Sequence, residues 1–375
     1  MKLKLIAAVL AATTLATTSA NAQTVNGNDV KVSTKGGFKV ESGPYKFQLG
    51  GRIQYDYNNA ELNGETGEDE FDIRRARIFA SGSVSENWHF KAQFNLDGDG
   101  GDDNVEDLYI RYTGFGKAAN VTIGNQKQPF ALEEQTSSKD ISILERSSIT
   151  ELFSIGREEG VQLHGKLGGN QTYGVGVFFA DTDGEDVGEE LGFAARYTIA
   201  PIKTDTSVLH LGVGYRLSDF EDLDEDGDFG IDDAFNIEAA YAAGPFHIQA
   251  EYFDGDAIVG TGFGDVEVDV DGFYVQAGYI LTGETRPYSG GKFKRVNPGS
   301  KLGAWELVAR YEDGNGDFGD VELGDLLGDA EGDSYTIGIN WYAHKNVRLG
   351  VNFTDGDDNL GNDGQEFRVR FQLTY

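Results

Sequence analysis

The densest basic stretch of this 375-residue chain is Phe71-Asp-Ile-Arg-Arg-Ala-Arg-Ile-Phe79. A guanidinium stays charged at any relevant pH and donates two parallel hydrogen bonds, so arginines gathered in one place suit the recognition of oxyanions. Successive side chains of a strand point to opposite faces. Arg74 and Arg75 are neighbours, so they share a face only if a bulge re-aims one of them; otherwise one meets another subunit. Arg77 has the parity of Arg75, which marks these two as the pair facing a common interior.

Other arginines fall into the same pattern. Arg52, Arg111, Arg196, Arg216, Arg310, Arg348, Arg368 and Arg370 each alternate with apolar neighbours, as in the closing Glu366-Phe-Arg-Val-Arg-Phe-Gln-Leu-Thr-Tyr375. They share their face with Asp56, Glu238, Glu251, Glu306 and Glu312. The chain carries 63 acidic against 31 basic residues, net charge -32, which excludes double-stranded nucleic acid as a partner, since that needs clustered lysine and arginine. Much of the acid sits in Gly-rich segments at 97–107, 181–190, 219–233, 254–271, 313–333 and 355–363. Arginines lining a narrow channel with low-dielectric walls would focus a positive potential and concentrate anions.

The elements that position these residues read as strands. Segments of about 8 to 11 residues alternate apolar and polar, with aromatics near their ends and turn residues between them. The separators alternate between short turns, such as Ala243-Gly-Pro245, and the long acidic segments. This pattern predicts an all-β transmembrane antiparallel β-barrel of about 16 strands; the alternative is a secreted soluble β-protein. The basic, apolar and small residues from Met1 to Ala22 read as a signal peptide. Residues 23–44 read as an N-terminal periplasmic segment or first strand, and 45–375 as the barrel domain. The stretch from Gly124 to Ser138, followed by Ile143-Leu-Glu-Arg146, lacks alternation and contains Pro129, as expected of a loop folded inward to narrow a channel.

Phe47-Gln-Leu-Gly-Gly-Arg-Ile-Gln54, Arg74-Arg-Ala-Arg77, Phe90-Lys-Ala-Gln-Phe94 after Trp88, Tyr109-Ile-Arg-Tyr112, Gly124-Asn-Gln-Lys127, Pro129-Phe-Ala-Leu-Glu133, Thr136-Ser-Ser138 and Leu144-Glu-Arg146 together resemble the phosphate-selective porin O and P family. Leu281-Thr-Gly-Glu284, Gly303-Ala-Trp-Glu306 and Gly338-Ile-Asn-Trp-Tyr342 extend the likeness along nearly the whole mature chain. The resemblance implies a homotrimer in the outer membrane of a Gram-negative bacterium, each barrel with an eyelet of arginines and lysines. By motif, Arg74 and Arg75 are the eyelet arginines, with Arg52 and Arg146 in the lining. Two positions depart from the family: Glu134 and His89 stand where its phosphate binders place lysines. Arg77 and Lys127, beside those motifs, are the residues to compensate.

The expected function is passive transport of anions, inorganic phosphate or related oxyanions, with outer-membrane lipid around the barrel and no cofactor. The alternatives are a less selective channel for carboxylates or other small solutes, and, more remotely, a barrel enzyme or a structural barrel. Against an enzyme, cysteine is absent and the five histidines, His89, His164, His210, His247 and His344, show no serine and aspartate arrangement around them. One loop invites a separate reading: Asp222, Asp224, Asp226 and Asp228, with Asp233 in place of the usual final Glu, fit the spacing of a calcium loop, set against a plain solvated acidic loop.

Overall fold

The computed structural model describes residues 23–25, 28–34, 36–97, 104–179, 191–218, 229–261, 264–317 and 330–375. Residues 1–22, read from sequence as a signal peptide, lie outside these. The strands are β1 (Gln23–Val25), β2 (Asn28–Ser33), β3 (Phe38–Ser42), β4 (Tyr45–Leu62), β5 (Glu65–Ser83), β6 (Trp88–Asn95), β7 (Val105–Tyr112), β8 (Asn120–Lys127), β9 (Arg157–Leu167), β10 (Gln171–Phe179), β11 (Leu191–Lys203), β12 (Ser207–Leu217), β13 (Phe229–Ala243), β14 (Phe246–Thr261), β15 (Gly264–Ile280), β16 (Ala304–Asp317), β17 (Ala330–His344), β18 (Val347–Asp358) and β19 (Asp363–Thr374). From β4 onward each pairs antiparallel with the next, and β19 returns to pair with β4, so sixteen strands close a barrel with no free edge. Strands β1 to β3 form a small meander hydrogen-bonded to the start of β4.

Alternation sets which side chains face in. Along β12, Leu211, Val213 and Tyr215 are exposed on the outer wall, whereas His210 and Arg216, flanking that run in the opposite parity, are buried inside. The usual order of a soluble protein is inverted, as a barrel bathed in hydrocarbon requires. Aromatic rings cluster near both ends of the outer wall. Trp305 stacks on Trp341 at 5.7 Å toward the short-turn end, and Tyr311 packs on Tyr335 at 4.7 Å toward the other.

The seam joins Thr374 to Arg52 and Arg370 to Asp56 in ladder register. Tyr375 exchanges two backbone hydrogen bonds of 3.0 Å with Gly51. A Cβ on Gly51 would meet the Tyr375 ring at 2.7 Å and the Arg77 carbonyl oxygen at 2.5 Å, so only glycine lets the last residue close the barrel here.

Two features differ from the sequence reading. The acidic stretch at 254–271 is mostly strand rather than loop, because Val266, Val268 and Val270 alternate with acids and carry the β14–β15 ladder beyond the barrel wall. Parts of the acidic stretches at 313–333 and 355–363 likewise continue β16 and β18. In addition, the short-turn end contributes a long inward segment, 281–303, that alternation does not reveal. Its Phe293 and Val296 are buried, the first against Leu132, Ala200 and Ala240, the second against Ile280 and Tyr342.

Candidate functional site

After β8 the chain leaves the wall and folds into the lumen over residues 128–156, forming two short helices, α1 (Leu132–Gln135) and α2 (Ser148–Phe153). Phe130, Ile149 and Phe153 pack against Phe253, Ala257, Val268 and Tyr274 on the inner wall, and Phe153 stacks on Phe253 at 5.3 Å. Helix α1 is seated by Glu251, whose carboxylate accepts hydrogen bonds from the Leu132 and Glu133 amides at 2.6 and 2.8 Å. The loop thus covers the β13–β15 side and leaves an open cavity of about 1660 Å³ along the opposite wall, lined mainly by β4 to β10.

A backbone without regular structure inside a barrel must find donors for its carbonyls. The wall arginines supply them. Arg348 donates to the Ile141 and Ser142 carbonyls at 2.7 and 2.5 Å, Arg310 to those of Glu145 and Arg146 at 3.1 and 3.2 Å, and Arg370 to that of Leu144. Arg216 donates to the Ile231 carbonyl at 2.8 Å. Arg216, Arg310, Arg348 and Arg370 are buried and do not line the cavity, which corrects their reading as pore-lining rungs. They do face inward, but the inward loop or neighbouring backbone occupies the space in front of them. Arg368 is also absent from the cavity lining; it pairs with Glu366 and lies 3.2 Å from Glu145.

The neighbours Arg74 and Arg75 share a target. Gln54 pairs with Arg75 and Asp56 with Asp72, so Tyr55 faces two residues of β5, and this bulge lets both arginines reach inward. Arg74 Nε and Arg75 Nη2 lie 3.0 and 2.9 Å from the Glu145 carboxylate. Arg75 is buried and lines the cavity; Arg74 keeps 40 % of its side chain exposed and does not.

Among the described residues, seventeen arginine and lysine side chains stand around the cavity, more than half of the 31 in the chain, against two acidic side chains, Glu41 and Asp107. Arg52, Arg75, Arg77, Arg111, Lys127, Arg146 and Arg196 are all in this lining. Most are neutralised from behind. Arg77 pairs with Glu106, Arg196 with Glu238 at 2.5 Å, and both Lys127 and Arg146 with Glu134, the latter at 3.0 Å. Lys127 therefore offsets the carboxylate that departs from the family pattern, and its ammonium is already engaged. Burial pushes the Glu134 carboxyl up, but Lys127 and Arg146 outweigh it and hold the group below its usual range. Arg111 lies over the Tyr109 ring at 4.9 Å and donates to Thr122 at 3.0 Å.

Arg52 differs from the rest. It is 6 % exposed, its one hydrogen bond is a long 3.5 Å contact to Ser137, and its Nε has no partner. Among the described residues no carboxylate comes within 4.0 Å of it.

Several lining residues were not singled out from sequence. Lys91 and Arg157 both bond Asp107, at 2.6 and 3.1 Å. Alternation in Phe90-Lys-Ala-Gln-Phe94 is the signal that could have found Lys91, whereas Arg157 has the outward parity of Val161 and enters the lumen at the very start of β9, directly after Gly156 with its φ of 88°. Lys292 and Arg295 come from the inward segment 281–303, which carries no periodic signal. Burial, reinforced by Lys294, Arg196 and Lys91, pushes the Lys292 ammonium down to about 7.

Two histidines are buried partners of carboxylates, whereas His89 and His164 stand in the cavity lining. His210 bridges Glu238 and Tyr288, His247 bonds Glu306 at 2.7 Å, and His164 and His89 bond Thr122 and Thr113. Of the calcium-loop candidates, Asp222, Asp224, Asp226 and Asp228 fall outside the described residues; Asp233 lies in β13, paired with Leu217 and Asp256.

A closed sixteen-stranded barrel with an apolar outer wall, a polar lumen and a loop that narrows it is a porin, a channel rather than an enzyme. The chain belongs to the phosphate-selective porin O and P family, whose profile matches residues 47–231 and 221–375. It is an outer-membrane protein. Porin O of Pseudomonas aeruginosa is 28 % identical to it over 432 aligned residues, covering 99 % of this chain and 98 % of its own. Two solved structures share the fold: the outer membrane channel DcaP of Acinetobacter baumannii, with TM-score 0.59 and 14 % identity over 91 % of this chain and 100 % of that one, and an anion-selective porin from Comamonas acidovorans, with 0.58 and 13 % over 88 % and 100 %. OmpT of Vibrio cholerae, solved in a trimer form, matches with TM-score 0.60 and 14 % identity over 88 % of this chain and 100 % of that one.

Proposed function

We propose that this porin conducts anions, phosphate or related tetrahedral oxyanions, past a constriction whose contact residues are Arg52, Arg75 and Arg77 with the Ser137 hydroxyl. The observation that carries the reading is Arg52: a buried guanidinium that lines the cavity without a counter-ion. A buried charge is costly unless something pairs with it, and a permeating anion is the partner the cavity can supply. Seventeen lining cations set the sign of the potential that brings the anion there. The acidic composition does not oppose this: among the described residues, Glu41 and Asp107 in the lining and Glu106, Glu134, Asp140, Glu145 and Glu238 paired to lining cations still leave those cations in excess.

The same reading extends to assembly as a homotrimer, in line with the trimer form of the structurally similar OmpT. Single-channel conductance in chloride, with phosphate added, tests the site in wild type and in Arg52→Ala. The expected result is that phosphate reduces the chloride current of the wild type. A charge-assisted hydrogen bond contributes about 1.5–3 kcal/mol, so the variant requires roughly 10- to 100-fold more phosphate for the same block. Equal block in both proteins removes Arg52 from the site.

A further inference from the structure

One carboxylate in the lumen has four guanidinium groups on it. Glu145 lies 3.0 Å from Arg74 Nε, 2.9 Å from Arg75 Nη2 and 3.2 Å from Arg368 Nη1, and is also bonded by Arg370 Nη2. Fork-shaped donors converging on a point are what a tetrahedral oxyanion requires, with several acceptor oxygens facing several paired donors. Here the acceptors belong to the protein. Burial pushes the Glu145 carboxyl up, but Arg370, Arg75 and Arg74 outweigh it and hold the group well below its usual range, so it remains an anion.

We propose that Glu145 is a resident anion: a tethered carboxylate that occupies the arginine cluster in the absence of substrate and competes with the permeating oxyanion for Arg75, the member of the cluster that lines the cavity. This rests on the reading of the pore as an oxyanion channel. The charge balance supports a competitor over a simple anchor. Arg74, Arg75, Arg368 and Arg370 are offset by Glu145, Asp56 and Glu366, so the cluster carries four cations against three anions and a single net positive charge. With the Glu145 carboxylate displaced, two net charges face the incoming ion.

The loop does not need this side chain to hold its position. Arg310 holds the Glu145 and Arg146 carbonyls, Arg348 and Asn340 hold that of Ser142, and Leu144 is fully buried. The backbone is pinned by groups other than the four arginines that hold the carboxylate, apart from Arg370, which does both.

Competition gives the pore a way to release what it binds. A channel site must attract an ion yet let it leave. A carboxylate on a short tether acts at an effective concentration of millimolar order or above, so it re-enters the cluster as the ion moves on. Affinity is thereby traded for throughput.

The test compares phosphate block of the chloride current in wild type, Glu145→Gln and Glu145→Asp, each first shown to retain the heat-resistant folded form. With the competitor's charge removed, Glu145→Gln needs at least about tenfold less phosphate for half-block, on the scale of such a tether. The shorter aspartate keeps its charge but loses reach, and needs less phosphate than wild type though more than Glu145→Gln; it also carries the test if the glutamine variant does not insert. Unchanged or weaker block in either variant, with a wild type that phosphate does block, overturns the resident-anion proposal alone. A wild type that phosphate fails to block, or that prefers cations, overturns the oxyanion reading with it.

Discussion

Arg370 of the last strand holds Asp56 of the first barrel strand through two hydrogen bonds, 2.7 Å from Nε and 2.5 Å from Nη2, at directly paired positions of the closing seam. The same guanidinium reaches the Leu144 carbonyl of the inward loop. One residue thus ties barrel closure to the placement of the constriction.

Removing one partner of a buried ion pair leaves the other charge stranded, at a cost of about 3–5 kcal/mol. Arg370→Met leaves Asp56 buried with Arg368 at 3.6 Å as its remaining cation. The variant is expected to lose the heat-resistant mobility of the folded barrel on gels at a clearly lower temperature than wild type. Asp56→Asn combined with Arg370→Met should recover part of that loss. A single variant that melts with wild type would show that the pair does not hold the seam.

Phe153 is fully buried and stacked on Phe253, and it holds the loop rather than the wall. Phe153→Ala should cost about 3–5 kcal/mol at that contact. Because the sixteen-strand ladder does not depend on it, the cost appears as a loosened loop. The expected record is a larger, noisier single-channel conductance with nearly unchanged barrel melting; wild-type conductance would contradict it.

Lys292 makes conduction depend on pH near neutrality. Its ammonium is pushed down to about 7, so it is protonated below that pH and neutral above. Raising the pH from 6 to 8 removes one positive charge from the cavity, and anion over cation preference should fall across that window. Lys292→Met should show the weaker preference already at pH 6 and a flatter profile. A wild-type selectivity constant from pH 6 to 8 would argue against the role.

The barrel was legible because lipid and water impose opposite preferences on alternate residues, as in β12, where Leu211, Val213 and Tyr215 face out and His210 and Arg216 face in. The inward segment 281–303 was not, because Phe293 and Val296 pack as irregular chain and leave no period to read. Parity placed Arg52 and Arg348 on the same face with equal force. It could not tell that Arg348 would meet the Ile141 and Ser142 carbonyls while Arg52 would meet open cavity, since that depends on where residues 128–156 come to rest in three dimensions. The adjacent arginines at 74 and 75 did signal the bulge, one of the two arrangements such neighbours allow.

The sign of the pore's selectivity decides whether the basic wall governs permeation. Purified channels in a planar bilayer, with a potassium chloride gradient across it, give a reversal potential set by the ratio of chloride to potassium permeability. The excess of lining cations over the carboxylates in and paired to the lining predicts a reversal potential on the chloride side. A value on the potassium side would contradict the account, because it would mean that the acidic outer segments, and not the basic wall, decide what passes.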